Sequence, residues 1–114
     1  MTRFAAPIAE QIWDMKYRLK QGDGTPIDGS VEDTWRRIAR ALADVEEDKA
    51  GWEDRFYGAP EDFKYLPAGR IVAGAGTGRS VTLFNCFVMG TVPDSMGGIF
   101  DNLKEAALTM QQGG

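Results

Sequence analysis

Apolar residues recur at helical spacing in the first part of the chain. The first such set repeats at intervals of four, three and four residues: Ile8, Ile12, Met15 and Leu19. This spacing predicts a helix with one apolar face that begins at Pro7, a residue suited to the first helical turn. Gly22-Asp23-Gly24 ends the pattern, and residues 1–6 ahead of it are expected to form a loose arm.

A second amphipathic helix is predicted from Ser30 to about residue 48. Ser30 followed by Asp33 resembles a capping box, with Asp in place of the usual Glu or Gln. The apolar face consists of Trp35, Ile38, Leu42 and Val45. The acidic run 46–48 opposes the dipole at a helix C-terminus, so fraying or an early end is expected. Two short helical turns are predicted between Trp52 and Phe63. The three tryptophans are expected to anchor helices against one another: Trp13, Trp35 and Trp52.

The pattern changes after residue 65. A turn over 66–69 and a glycine-rich loop over 74–78 precede a nearly unbroken apolar run, Val81 to Met89, which predicts a strand covered on both faces. Asp94 or Ser95 is expected to cap a last helix, whose apolar face is Met96, Ile99, Leu103, Ala107 and Met110. Because no second convincing strand exists, the sheet must come from a longer chain or another subunit.

Composition narrows the possible chemistry. The 114 residues carry a net charge of −4 with no basic stripe, which argues against a nucleic-acid partner. With no histidine and one cysteine, the chain lacks the ligands of a typical zinc site and the imidazole of a Ser-His-Asp or Cys-His arrangement. No intrachain disulfide is possible, which suits a reducing, cytoplasmic location. No apolar run is long enough for a membrane span, and no signal peptide is evident.

The glycine-rich loop and Cys86 each have alternative interpretations. The loop Gly74-Ala75-Gly76-Thr77-Gly78 fits neither named phosphate-binding fingerprint, and it precedes a strand instead of opening a helix. Its glycines either allow positive φ in a tight turn or bring the backbone close to a nucleotide. Cys86 either packs as a small hydrophobe or serves chemistry. The adjacent Asn85 favours chemistry, because a buried amide is costly unless hydrogen-bonded.

Four segments together resemble one family. They are Leu66-Pro67-Ala68-Gly69-Arg70-Ile71, Ala73-Gly74-Ala75-Gly76-Thr77, Phe84-Asn85-Cys86-Phe87-Val88-Met89 and Pro93-Asp94-Ser95-Met96. This block resembles the N-terminal part of adenosylcobalamin-dependent (class II) ribonucleotide reductases. The opening helices, through Pro7–Trp13 and Glu32–Arg37, and the end of the chain, 105–114, are similar to the same family.

The resemblance implies an α+β fragment. Residues 1–64 would form the N-terminal helical region, and residues 65–114 would supply the first strand and helix of a ten-stranded catalytic α/β barrel. Cys86 would be one of two redox-active thiols that reduce the ribose, and Asn85 and Cys86 would contact the ribonucleotide substrate. Asp94 would lie where an effector nucleotide tunes substrate choice. No metal ligand is implied within this chain.

The resemblance also implies partners outside these residues. Adenosylcobalamin, the radical cysteine and the second redox cysteine would belong to the remainder of the reductase, and a thioredoxin-like or other thiol reductant would recycle the disulfide. The chain, whether truncated or naturally split, is therefore expected to be inactive by itself. The competing interpretation is a stand-alone helical nucleotide-binding or interaction module without catalysis. A thermal melt with and without nucleotides discriminates the two.

Overall fold

The computed structural model describes residues 3–114 and contains five α-helices. These are α1 (Pro7–Lys16), α2 (Val31–Ala43), α3 (Lys49–Gly58), α4 (Gly69–Gly74) and α5 (Met96–Gln111). A 3-10 turn, Glu61–Phe63, follows α3. Within residues 3–114 there is no strand, only an isolated antiparallel bridge between Lys20 and Pro26. Across the same residues, no helix has the length and apolar character needed to cross a membrane.

The core forms around α2. Its buried residues recur every three or four positions, as one face of a helix requires: Val31, Thr34, Trp35, Ile38, Ala39 and Ala43. The predicted capping box is confirmed, because Ser30 Oγ accepts from Asp33 N and Asp33 accepts from the Ser30 backbone. The helix ends at Ala43, as the acidic run suggested. The extension to residue 48 was wrong, and Val45 is 88% exposed.

The apolar face predicted for α1 was wrong. Ile8, Ile12 and Met15 are exposed, and Leu19 lies beyond the helix end. Trp13 is the buried residue of α1, and its indole Nε1 donates to Thr34 Oγ1 at 3.0 Å. The larger ring takes the core position because it buries more surface and also finds a hydrogen-bond partner.

Residues 3–6 are attached to the core instead of forming a loose arm. The Phe4 ring lies 5.6 Å from Trp13 and 5.5 Å from Phe63, centroid to centroid. Arg3 forms ion pairs with Glu32 and Asp62. The prediction of a loose arm was therefore wrong for these residues, and its first two positions lie outside the described residues.

Aromatic rings join α2 to the segment after it. Trp35 packs edge-on against Phe63 at 5.2 Å and against Tyr57 at 6.4 Å. The helical turns predicted between Trp52 and Phe63 correspond to α3 and the 3-10 turn. Trp13 and Trp35 join separate elements as expected, whereas Trp52 makes its ring contacts with Phe56 and Arg55 of α3 itself.

The second half of the chain is mostly exposed. Helix α4 was not predicted, because its sequence GRIVAG reads as part of a glycine-rich loop. Helix α5 was predicted, and Ser95 is its N-cap, with Oγ accepting from Gly98 N at 3.0 Å. Val81 to Met89 is mostly exposed and forms no strand within residues 3–114, so its predicted burial is wrong for this structure and the predicted barrel strand is not shown. A strand needs a neighbour for its backbone N–H and C=O groups, and residues 3–114 supply none.

Candidate functional site

A buried polar network connects the helical core to the glycine-rich loop. At its centre the Asp28 carboxylate accepts from Thr34 Oγ1 at 2.7 Å and from Leu19 N at 3.1 Å. Thr34 in turn accepts from the Trp13 indole. Asp28 and Thr34 are the buried polar residues of the described chain, and each has partners, as burial of polar groups requires.

Arg37 carries the network to α4. Its guanidinium pairs with Asp28 Oδ2 at 3.0 Å, and the two side chains are only 8% and 4% exposed. The same group donates to Ala75 O at 2.6 Å and to Val72 O at 3.1 Å, and it also reaches Tyr17 O at 3.3 Å. Carbonyls at a helix C-terminus lack intrahelical donors. Arg37 therefore caps the end of α4 and fixes the point where the glycine-rich loop begins.

Sequence reasoning did not identify this network. Asp28 lies in the connection between α1 and α2, and Arg37 is one of three arginines on α2. The two residues are nine positions apart and only Arg37 lies in a helix, so neither helical nor strand spacing predicts that they meet. The only available signal was an arginine directly beside the apolar face of an amphipathic helix.

The glycines of the loop turn the backbone, as one of the interpretations proposed. Gly76 and Gly78 have φ of +71° and +72°, a region that side chains rarely adopt. Gly76 also lies against Arg37, because a Cβ built there would be 2.9 Å from Arg37 Cγ and from Arg37 O. The loop follows α4 and no helix begins at its end, so it lacks the helix N-terminus of a phosphate-binding fingerprint.

Residues 81–89, the Cys86 segment, run along the surface. Thr82 N donates to Gln112 O at 2.7 Å, which attaches the start of the segment to the turn after α5. Phe84 and Phe87 pack edge-on, with ring centroids 6.5 Å apart. Asn85 and Cys86 are both exposed, and within residues 3–114 neither side chain has a hydrogen-bond partner. The thiol is therefore accessible to a reaction partner, although the predicted burial of the pair was wrong.

Asp94 lies at the start of α5. It precedes the N-cap Ser95 and its side chain is exposed. A carboxylate at this end of a helix is favoured by the helix dipole. Pro93 packs on Gly98, since a Cβ at Gly98 would lie 2.6 Å from Pro93 Cβ. Asn85 and Cys86 are neighbours in the sequence, and among the described residues no hydrogen bond or ion pair joins Asp94 to either of them.

The described residues do not form a site that fits adenosylcobalamin. Residues 3–114 contain no group of three or more His, Cys, Asp or Glu side chains that could hold a metal ion. A cleft of about 620 Å³ lies beside α2, and its charged groups already have partners. Asp28 pairs with Arg37 inside the cleft, whereas Arg36, Arg40 and Asp44 pair with residues outside its lining. No step is assigned to the cofactor on these residues.

Comparison with known proteins gives matches over most of the chain. Residues 3–80 match the family model described as "Ribonucleotide reductase, all-alpha domain". The chain is 32% identical over 99 residues to the ribonucleoside-diphosphate reductase subunit alpha of Helicobacter pylori strain 26695, covering 87% of this chain and 12% of that protein. It is 31% identical over 80 residues to the subunit of the same name from Chlamydia trachomatis, covering 70% of this chain and 7% of that protein.

These matches have two consequences. The chain spans at most about an eighth of the length of these relatives. An alignment of 99 residues within a chain of 114 necessarily includes residues 16–99, so the Helicobacter relative aligns with the Cys86 segment and with Asp94. No solved structure matches the chain.

Proposed function

The chain belongs to the ribonucleotide reductase family, and we propose on that basis that it is the N-terminal portion of an enzyme that converts ribonucleotides to deoxyribonucleotides. The observation that carries the proposal is the family match over residues 3–80. Cys86 follows this region closely and is exposed, and its segment also aligns with a reductase relative. The names of the relatives, ribonucleoside-diphosphate reductases, make a nucleoside diphosphate the proposed substrate.

Cys86 supplies one of two reducing thiols in the proposed reaction. A thiyl radical on another cysteine removes the 3′-hydrogen of the ribose, and the 2′-hydroxyl leaves as water. Two thiols give up two electrons and two protons and become a disulfide, and the 3′-hydrogen is then returned. A disulfide needs a second sulfur at bonding distance, and this chain has one cysteine. The partner thiol therefore belongs to the remainder of the reductase, and the chain is inactive by itself.

The Cys86 segment becomes the first strand of the proposed ten-stranded barrel when the rest of the enzyme is present. Its side chains and those of α5 support this, because large apolar groups on both are exposed: Phe84, Val88, Met96, Ile99, Phe100 and Leu103. Large apolar side chains exposed in this number mark surface that another part of a protein covers. In that arrangement Asn85 contacts the substrate beside Cys86.

The effector and the cofactor are the remaining parts of the proposal. Asp94, exposed at the start of α5, would contact an effector nucleotide. Adenosylcobalamin, bound outside residues 3–114, would supply the radical. The resemblance of residues 66–112 to class II enzymes supports this cofactor. A thioredoxin-like protein or another thiol would reduce the disulfide after each turnover.

The decisive experiment measures deoxynucleotide formation by the complete enzyme. Cys86→Ser should abolish reduction supported by the external thiol, because one of the two reducing sulfurs is lost. Ser80→Ala, an exposed change six residues earlier, is the matched control and should leave the rate unchanged. Full activity of Cys86→Ser would refute the assigned role. Activity that does not depend on added adenosylcobalamin would refute the cofactor assignment alone.

A further inference from the structure

A small cleft of about 140 Å³ lies where three parts of the chain meet. Helix α4 contributes Arg70, the segment leading to Cys86 contributes Arg79 and Thr82, and the turn after α5 contributes Gly113. The Arg70 guanidinium reaches across the cleft, since a Cβ built at Gly113 would lie 3.6 Å from its Nη1. The absence of side chains at Gly113 and Gly74 keeps the cleft open.

The two arginines of this cleft differ from the others described. Five arginines form ion pairs, and a sixth, Arg55, stacks on Trp52: the five are Arg3, Arg18, Arg36, Arg37 and Arg40. Within residues 3–114, Arg70 and Arg79 have neither a carboxylate nor a ring partner. No acidic residue lines the cleft, although the chain has 17 acids against 13 bases. Two like charges in one cleft repel each other unless an anion lies between them.

We infer that Arg70 and Arg79 bind a phosphoryl group of a nucleotide. Guanidinium groups donate paired hydrogen bonds that match phosphate oxygens, and an anion between them relieves their repulsion. Thr82 offers a third donor, because its Oγ1 accepts from Phe84 N at 3.1 Å and its own proton remains available. The cleft shares Gly74 with the loop 74–78, but its proposed donors are the side chains of Arg70, Arg79 and Thr82.

The position of the cleft relates it to the proposed chemistry. Thr82 precedes Cys86 by four residues, so the two are at most about 14 Å apart along a fully extended chain. A nucleotide held by its phosphates in the cleft can therefore extend its ribose toward the thiol. This part of the inference rests on the proposed function, whereas phosphate binding by the two arginines does not.

The first experiment titrates the 114-residue chain with inorganic pyrophosphate by calorimetry. Arg70→Gln and Arg79→Gln should each weaken binding by about tenfold or more, because each removes a charge-assisted contact. Arg55→Gln is the matched control: it removes the same charge from an exposed position and should change affinity less than about twofold. Far-UV circular dichroism verifies that each variant keeps its helices. Absence of saturable binding, or equal weakening by Arg55→Gln, would overturn the inference.

Competition identifies the source of the phosphoryl group. A ribonucleoside diphosphate should displace pyrophosphate more effectively than a deoxynucleoside triphosphate if the cleft holds substrate; the reverse order would assign it to the effector. Cys86→Ser should bind pyrophosphate normally. If that variant keeps full reductase activity in the complete enzyme, the proposed function fails while the phosphate site stands. If wild-type and arginine variants bind nucleotides equally, the site fails independently of the function.

Discussion

The buried ion pair between Asp28 and Arg37 should contribute far more to stability than an exposed pair of equal length. In Asp28→Asn the Arg37 guanidinium loses its counter-charge inside a region where it is 8% exposed. Removing one partner of a buried pair typically costs about 3–5 kcal/mol, because the remaining charge is left uncompensated. Such a loss is a large fraction of the roughly 5–15 kcal/mol by which domains are stable.

The chain offers a matched control in Asp44 and Lys49. Their N–O distance is 2.9 Å, close to the 3.0 Å of the buried pair, but the side chains are 75% and 61% exposed. Exposed pairs contribute about 0–1 kcal/mol, because water screens them. Asp44→Asn should therefore change the free energy of unfolding by less than about 1 kcal/mol.

Urea denaturation followed by tryptophan fluorescence measures both variants, since Trp13 and Trp35 lie in the core. Asp28→Asn should lower the midpoint strongly, and the double variant Asp28→Asn with Arg37→Met should recover part of the loss by removing the unpaired charge. If Asp28→Asn and Asp44→Asn differ by less than about 1 kcal/mol, burial of the pair does not matter and the reasoning is refuted.

Three further predictions concern the loop, α1 and the thiol. Gly78→Ala should lower the free energy of unfolding by about 1 kcal/mol, because its φ is positive while a Cβ there would meet no other atom. Gly76→Ala at nearly the same φ should cost about 1–3 kcal/mol more, because its Cβ would meet Arg37; equal unfolding free energies would contradict this contact. Hydrogen bonds from Arg18, then Lys20, hold the pKa of Asp14 below its usual value. Asp14 therefore contributes its full stabilisation above a pH of about 3.8 and loses it as the pH falls through its lowered folded-state pKa. In urea titrations Asp14→Asn should lower the free energy of unfolding at pH 7 and have a progressively smaller effect as the pH falls below about 3.8; a loss that does not change with pH would refute the pairing. Cys86 is exposed, so one thiol per chain should react with a disulfide-exchange reagent in native buffer; reaction only after unfolding would contradict its accessibility.

Features that depend on neighbours in the sequence could be predicted from the sequence. The capping box at Ser30, the burial of Trp35 and Ile38 on α2, and the start of α5 near Ser95 each follow from residues within one or two turns. The face of α1 could not be predicted in this way. Both sides of that helix carry apolar residues, and the choice of Trp13 depends on the Thr34 hydroxyl of another helix.

The Cys86 segment shows that an apolar pattern alone does not determine the local structure. Such a pattern reports which surface a protein buries when all its neighbours are present. In residues 3–114 those neighbours are missing, so Phe84 and Val88 are exposed and no ladder forms. Asn85 and Cys86 remain predicted site residues, because their chemistry depends on groups that the described chain does not contain.

The position of the Cys86 segment nevertheless depends on the helical half of the chain. Arg37 fixes the carbonyls of Val72 and Ala75, and Gly76 packs directly on Arg37, so the helical core determines where the loop begins. The hydrogen bond from Thr82 N to Gln112 O then attaches the start of the segment to α5. Residues 77–81 link these two attachments, and Thr77 Oγ1 donates to Gly74 O at 2.9 Å. A change at Arg37 should therefore alter the reactivity of a thiol that it does not touch, and in the proposed enzyme the all-α region would position a reducing cysteine as well as support the fold.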